Sequence, residues 1–161
     1  MDPRLETAKE KKLVVISRKM SVAENLTFLL WNSFMKRKSE ILNAVSPELY
    51  SIQTYEKGYF ENFNPRNTFT KMAGIEVSSF EMIPDGMEAY VLEGGKYAVF
   101  QYKGHPKDGG TFFQHIFQKW LPSSGYVIDD RAHFEVLGEK YNNSSSGSEE
   151  EIWIPVKLIC Q

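Results

Sequence analysis

Residues 88–104, EAYVLEGGKYAVFQYKG, and 108–125, DGGTFFQHIFQKWLPSSG, decide the fold of this chain. The first stretch is extended: β-branched and aromatic residues dominate it, with a glycine irregularity at Gly94 and Gly95. The second is helical. Phe112, Phe113, Ile116, Phe117, Trp120 and Leu121 recur as a broad apolar stripe, Asp108 stands near the start, and Pro122 and Gly125 end it. GYVIDDRAHFEVL at 125–137 and EEIWIPVKLI at 150–159 then supply two strands.

The first half of the chain has the same order. LVVISRKMSV at 13–22 reads as a strand and NLTFLLWNSFMKRKSEIL at 25–42 as a helix. In that helix Leu26, Leu29, Leu30, Phe34, Ile41 and Leu42 form the apolar face, with Asn25 as N-cap and Pro47 helping to stop it. LYSIQTYE at 49–56 and FTKMAGIEVSS at 69–79 follow as strands, joined by the irregular KGYFENFNPRN. Each half is therefore strand, helix, strand, strand. The reading is an α+β domain over 13–161 built of two pseudo-repeats, 13–79 and 87–157, after a flexible leader at 1–12. Two helices cover one side of a mainly antiparallel sheet, and the opposite surface is expected to carry a ligand groove between the halves.

Composition narrows the function. With 161 residues, 42% of them hydrophobic and 14% aromatic, the chain can bury a sizeable core. A formal charge of −2, with basic residues gathered only in LETAKEKK and MKRKSE, argues against nucleic-acid binding. A single cysteine, Cys160, implies no internal disulfide, and no apolar run is long enough to span a bilayer, so no membrane role and a cytoplasmic location are expected. His105, His115 and His133 lack zinc-ligand spacing, and neither a serine elbow nor a P-loop is present. No metal or cofactor is expected.

The final strand carries the site argument. Glu151 and Trp153 are two residues apart and so share one strand face, while Ile152, Ile154 and Val156 form the other, turned to the helices. A carboxylate backed by an aromatic ring suits an organic cation. The connection NNSSSGSEEE reads as solvated loop, so Glu149 and Glu150 are assigned to it. Glu135, beside Phe134 on the preceding strand, either converges with Glu151 on one cavity or pairs on the surface with Arg131 or Lys140. Phe100 and Tyr102 share a face by alternation, and the sequence leaves open whether that face lines the pocket. Tyr55, Met72 and Trp31 are wall candidates from the first half, each equally compatible with core packing, and Trp120 reads as core.

Taken together, MEAYVLEGGKYAVFQYKG, QKWLPSSGY, HFEVL and EIWIPVK, in this order and spacing, resemble the GyrI-like small-molecule-binding domain. That domain is also the effector-binding part of AraC-type and MerR-type multidrug regulators, and stand-alone members include integron-cassette proteins. The resemblance implies a tandem fold around a central pocket for lipophilic, often cationic, aromatic compounds, in which acidic side chains offset charge and aromatic rings stack. By position it makes Glu151 the glutamate of EIWIPV, places Trp153 where relatives often have tyrosine, and makes Glu135 the glutamate of the FE segment. Too few residues precede the first strand for a helix-turn-helix, so direct DNA binding is not implied. The expected function is a stand-alone effector-binding protein related to drug sensing or transcription regulation, with a regulator or DNA gyrase as a possible protein partner. The alternatives are a hydrolase of reactive electrophilic natural products with Glu151 as general base, and a protein-binding modulator of DNA gyrase.

Overall fold

The computed structural model describes residues 2–142 and 145–160. Asn143 and Ser144, within the connection read above as solvated loop, lie outside the described residues. The elements are β1 (Arg4–Ala8), β2 (Lys11–Ser21), α1 (Thr27–Arg37), β3 (Ala44–Thr54), β4 (Thr68–Val77), β5 (Glu88–Leu92), β6 (Gly95–Lys103), α2 (Gly109–His115), β7 (Tyr126–Ile128), β8 (His133–Leu137) and β9 (Glu149–Leu158). After α2 the helix widens into a π turn (Ile116–Trp120) and closes with a last α turn (Leu121–Ser124), α3. Pro122 lies just past the π turn; it has no N–H to give to a carbonyl four residues back and its ring crowds that carbonyl. Ser123 Oγ donates to the carbonyls of Lys119 and Trp120, at 3.1 Å each. Gly125 then stops the helix at φ +80°, a conformation that favours glycine.

The antiparallel sheet has the order β1-β6-β9-β8-β3-β4-β2-β5, with β7 added beside β9. It contains two three-strand units, β6-β9-β8 and β3-β4-β2, that meet where β3 pairs with β8. In each unit the helix follows the outermost strand, which is the strand-helix-strand-strand order expected from the sequence.

Several sequence expectations change. Residues 4–8, assigned to a flexible leader, form β1 and pair with β6, Arg4 opposite Val99 and Ala8 opposite Gly95. The extended run at 88–104 is two strands, because a break at Glu93 and Gly94 sends β5 to pair with β2 while β6 pairs with β1 and β9. The first helix ends at Arg37, followed by a 3₁₀ turn (Lys38–Glu40), so Leu42 lies outside it and is exposed.

The sheet curls, and its two faces bury different cores. The inner face closes on itself around Leu13, Val15, Ile52, Leu92, Tyr97, Val99 and Phe134, with Trp153 packed against them. Its centre is aromatic: Phe134 stacks on Trp153 at 5.2 Å and meets Tyr97 edge-on at the same distance. On the outer face α1 seats Leu30 and Phe34 over Val14, Ala73 and Ile75. The second helix seats Ile116 and Trp120 over Phe100, Ile152 and Ile154.

The turn at Gly94 is packed tightly against the β1–β2 link. A Cβ there would lie 2.6 Å from the Ala8 carbonyl oxygen and 3.0 Å from the Glu10 nitrogen, both backbone atoms that cannot move aside alone. Gly94→Ala is therefore expected to cost about 1–3 kcal/mol in urea denaturation. Gly110→Ala, where a Cβ meets nothing within 4 Å, is expected to stabilise by about 0.5 kcal/mol in the same assay.

Candidate functional site

The two helices lie side by side on the outer face without meeting, and the gap between them is a groove of about 990 Å³. That is room for a drug-sized molecule. One wall is the Thr27, Trp31 and Met35 side of α1; the other is Gly109, Gly110 and Phe113 of α2. The absence of side chains at Gly109 and Gly110 keeps that wall set back. The floor comes from the strands where the two units join: Ser51 of β3, Lys71 of β4, Glu135 and Leu137 of β8, and Glu150 of β9. Pro47 interrupts the β3–β4 ladder, whose register shifts between Ala44 and Leu49, and this turns Ser46, Pro47 and Glu48 to the groove mouth.

Strand parity puts two carboxyls together. Glu135 is opposite Ile152, and Glu150 lies two residues before Ile152 on the same face of β9. The two are thus diagonal neighbours across adjacent strands, close enough for long side chains to touch. Lys71 is the floor's cation, and its Nζ donates to Thr27 Oγ1 at 3.2 Å. Burial, then the charge and hydrogen bond of Glu135, push the Glu150 carboxyl well above the usual carboxylate range, with Lys71 opposing. The Tyr141 phenol, also in the lining, is pushed up to about 12 by burial and by the charges of Glu150 and Glu135. The outer face continues past the groove in Gln53, which donates to Ser51 Oγ at 3.1 Å, and in buried His133, pushed down to about 4 by burial and by Arg131.

Of the residues singled out from sequence, Trp31 and Glu135 line this groove. Glu151 and Trp153 do share a strand face, but it is the inner one, and the groove lies on the helix side. The expectation of a groove on the surface opposite the helices fails because the curled sheet fills that surface with its own core. Trp153 is packed into that core. The Glu151 carboxylate accepts from Arg4 at 2.8 Å, Gln101 at 3.0 Å and Trp153 Nε1 at 3.3 Å, which ties β1, β6 and β9 together. Met72 belongs to the inner core as well. Phe100 and Tyr102 are on the helix side but lie beneath α2, each edge-on to Phe112. Tyr55 packs among Tyr59, Phe60, Phe69 and His133 beyond the lining. Glu150, assigned from sequence to a solvated loop, belongs to β9 and to the groove floor. The signal was present: Glu150 has the parity of Ile152 and Ile154, the residues already expected to face the helices.

Among the described residues, no group of three or more histidine, cysteine, aspartate or glutamate side chains is placed to hold a metal, and no helix is long and apolar enough to cross a membrane. A tandem α+β module with a deep groove between two helices, floored by paired carboxyls and walled by aromatic rings, defines a small-molecule-binding protein. Comparison with known proteins makes the class specific. Residues 1–157 match the family model described as GyrI-like small molecule binding domain, and the chain belongs to that family. It is 28% identical over 129 residues to the transcriptional regulator BrlR of Pseudomonas aeruginosa, a match covering 79% of this chain and 45% of that protein. The chain thus corresponds to under half the length of that relative. Among solved structures, SAV2435 bound to tetraphenylphosphonium superposes with a TM-score of 0.77 at 17% identity, covering 98% of this chain and 94% of that one. A Listeria innocua structure described as a hydrolase superposes at 0.58 and 13% identity, covering 97% and 92%. At these identities the superpositions establish the shared fold.

The paired carboxyls make stability depend on pH. In the folded protein Glu150 keeps a proton that the unfolded chain gives up above its ordinary value of 4.5. Its contribution to stability is therefore full below that value and is lost as pH rises toward the elevated folded value. The unfolding free energy of the wild type, taken relative to Glu150→Gln, is expected to fall by about 1 kcal/mol per unit between about pH 5 and about pH 8 in urea denaturation. A flat difference would show that the carboxyls are not held together.

Proposed function

We propose that this protein binds lipophilic aromatic cations in the groove between α1 and α2, as an effector-binding domain for sensing or sequestering such compounds. The observation that carries this reading is the Glu135–Glu150 pair on the floor of an aromatic-walled groove. A lipophilic cation leaves water at low cost because its charge is spread over apolar surface, and it then needs a diffuse anion and ring faces to rest on. Glu135 and Glu150 supply the anion, and Trp31 and Phe113 supply rings on opposite walls. Of the lining side chains, four are glutamates and one is a lysine, so the groove disfavours anions. The tetraphenylphosphonium complex of SAV2435, which shares this fold, is consistent with the reading. The relation to BrlR suggests that the bound state is read out by transcription machinery, either in a longer chain or through a protein partner such as a separate regulator.

Fluorescence anisotropy of rhodamine 6G tests the assignment. Replacing both Glu135 and Glu150 with glutamine is expected to weaken binding at least about tenfold, or about 1.4 kcal/mol. Glu151→Gln, on the other side of the sheet, is expected to leave affinity unchanged. Weakening by Glu151→Gln equal to that of the double variant would move the site to the inner face.

One observation favours a second reading, hydrolysis. The Tyr141 hydroxyl lies in the field of both carboxyls, so a phenol donor and a carboxylate base border the same space. In this reading the base that activates water is a member of the Glu135–Glu150 pair, since the Glu151 carboxylate is engaged by Arg4 and Gln101. Turnover of a strained-ring alkylating substrate, abolished by Tyr141→Phe with binding retained, is the outcome that reading requires.

A further inference from the structure

We infer that the Glu135–Glu150 pair exchanges a proton for the ligand's positive charge, so that each bound cation expels one proton from the groove floor. The inference rests on the cation-binding reading above and adds to it a chemical coupling between ligand and pH.

The geometry gives the starting state. Glu135 and Glu150 are diagonal neighbours on one face of adjacent strands and both line the groove floor; two carboxylates so placed repel each other away from bulk water, so the pair holds a proton between them. The pair then carries a single negative charge, and Lys71, the positive group of the floor, balances it. The remaining titratable groups around Glu150 leave that balance in place. Tyr141, after β8, and buried His133, on the same face of β8 as Glu135, are neutral at pH 7. Glu48 at the mouth and Glu139 after β8 are exposed to solvent, which screens them. Asp108, before α2, joins Glu150 in acting on Tyr102 from beneath that helix. The α1 wall contributes Thr27, Trp31 and Met35, none of which titrates. The floor of the empty groove is therefore close to neutral, as a half-buried surface requires.

A cation entering that floor without other change would leave an uncompensated charge away from water, which is costly. If the shared proton leaves as the cation arrives, the pair becomes doubly negative, and Lys71 and the ligand together restore neutrality. The proton passes to bulk solvent, no bond other than the O–H is broken, and charge is conserved. The second carboxyl thus does more than add attraction. It stores a removable positive charge, which lets the groove stay neutral both empty and filled and makes the affinity for a permanent cation rise with pH.

Isothermal titration calorimetry of the full chain with tetraphenylphosphonium, which has no proton of its own, reads this directly. At pH 7, titrations in phosphate and in Tris, buffers of very different ionisation enthalpy, are expected to differ by the heat of about one proton per bound cation. The apparent affinity is expected to rise toward about tenfold per unit between about pH 6 and about pH 8. Glu150→Gln and, independently, Glu135→Gln are expected to abolish both effects while each keeps one carboxylate for the cation. Binding with identical heats in the two buffers would overturn the exchange and leave the cation site standing. Proton release that persists in both variants would place its source elsewhere and overturn it equally. If tetraphenylphosphonium does not bind at all, the cation reading fails, and the exchange fails with it.

Discussion

Two links of two residues each hold this architecture in its shape. Lys9 and Glu10 join β1 to β2, and Glu93 and Gly94 join β5 to β6. In each case the strands joined stand six places apart in the order of the sheet. Laid flat, six places would be about 29 Å, whereas the three Cα steps across such a link reach only about 11 Å. The sheet has no choice but to curl until β1 and β5 approach one another. Both links cross the resulting seam, and they press on each other there, which is why a side chain at Gly94 would strike the backbone of residues 8 and 10.

The groove follows from that closure. Once the inner face is sealed around Tyr97, Phe134 and Trp153, only the outer face needs a cover, and it has two short helices to provide one. Each helix is anchored over its own three-strand unit, so the strip where β3 meets β8 is left open between them. Polar side chains gather along that strip: Ser51, Lys71, Glu135 and Glu150. They are tolerable there because the groove admits solvent or ligand, and they would be costly under either helix. The placement of the carboxyls is thus a consequence of where the helices cannot reach.

Much of this was legible in the sequence, and the failures have a common origin. The apolar periods of Leu30 and Phe34, and of Ile116 and Trp120, gave the helices and their buried faces. The alternation of Ile152, Ile154 and Val156 correctly identified the side of β9 that meets them. What periodicity does not encode is which side of a sheet is hollow. A carboxylate and an aromatic at 151 and 153 look like a binding pair whether they line a cavity or, as here, bind an arginine from a distant strand and close a core. Arg4, 147 residues away from Glu151 in sequence, carries no local sign of that role. Glu150 was misread because an acidic run next to glycine and serine resembles solvated loop, although its parity matched the helix-facing residues.

The three tryptophans are shared out one to each apolar body: Trp153 in the sealed interior, Trp31 beside the α1 cluster at the groove wall, and Trp120 under the second helix. Each indole therefore looks into a separate compartment of the same molecule. Variants retaining only one of them would let intrinsic emission distinguish events that global probes merge: opening of the seam at Trp153, undocking of the π-bulged helix at Trp120, and a change of contents in the groove at Trp31. The chain carries, without labelling, one optical reporter for each part of its structure.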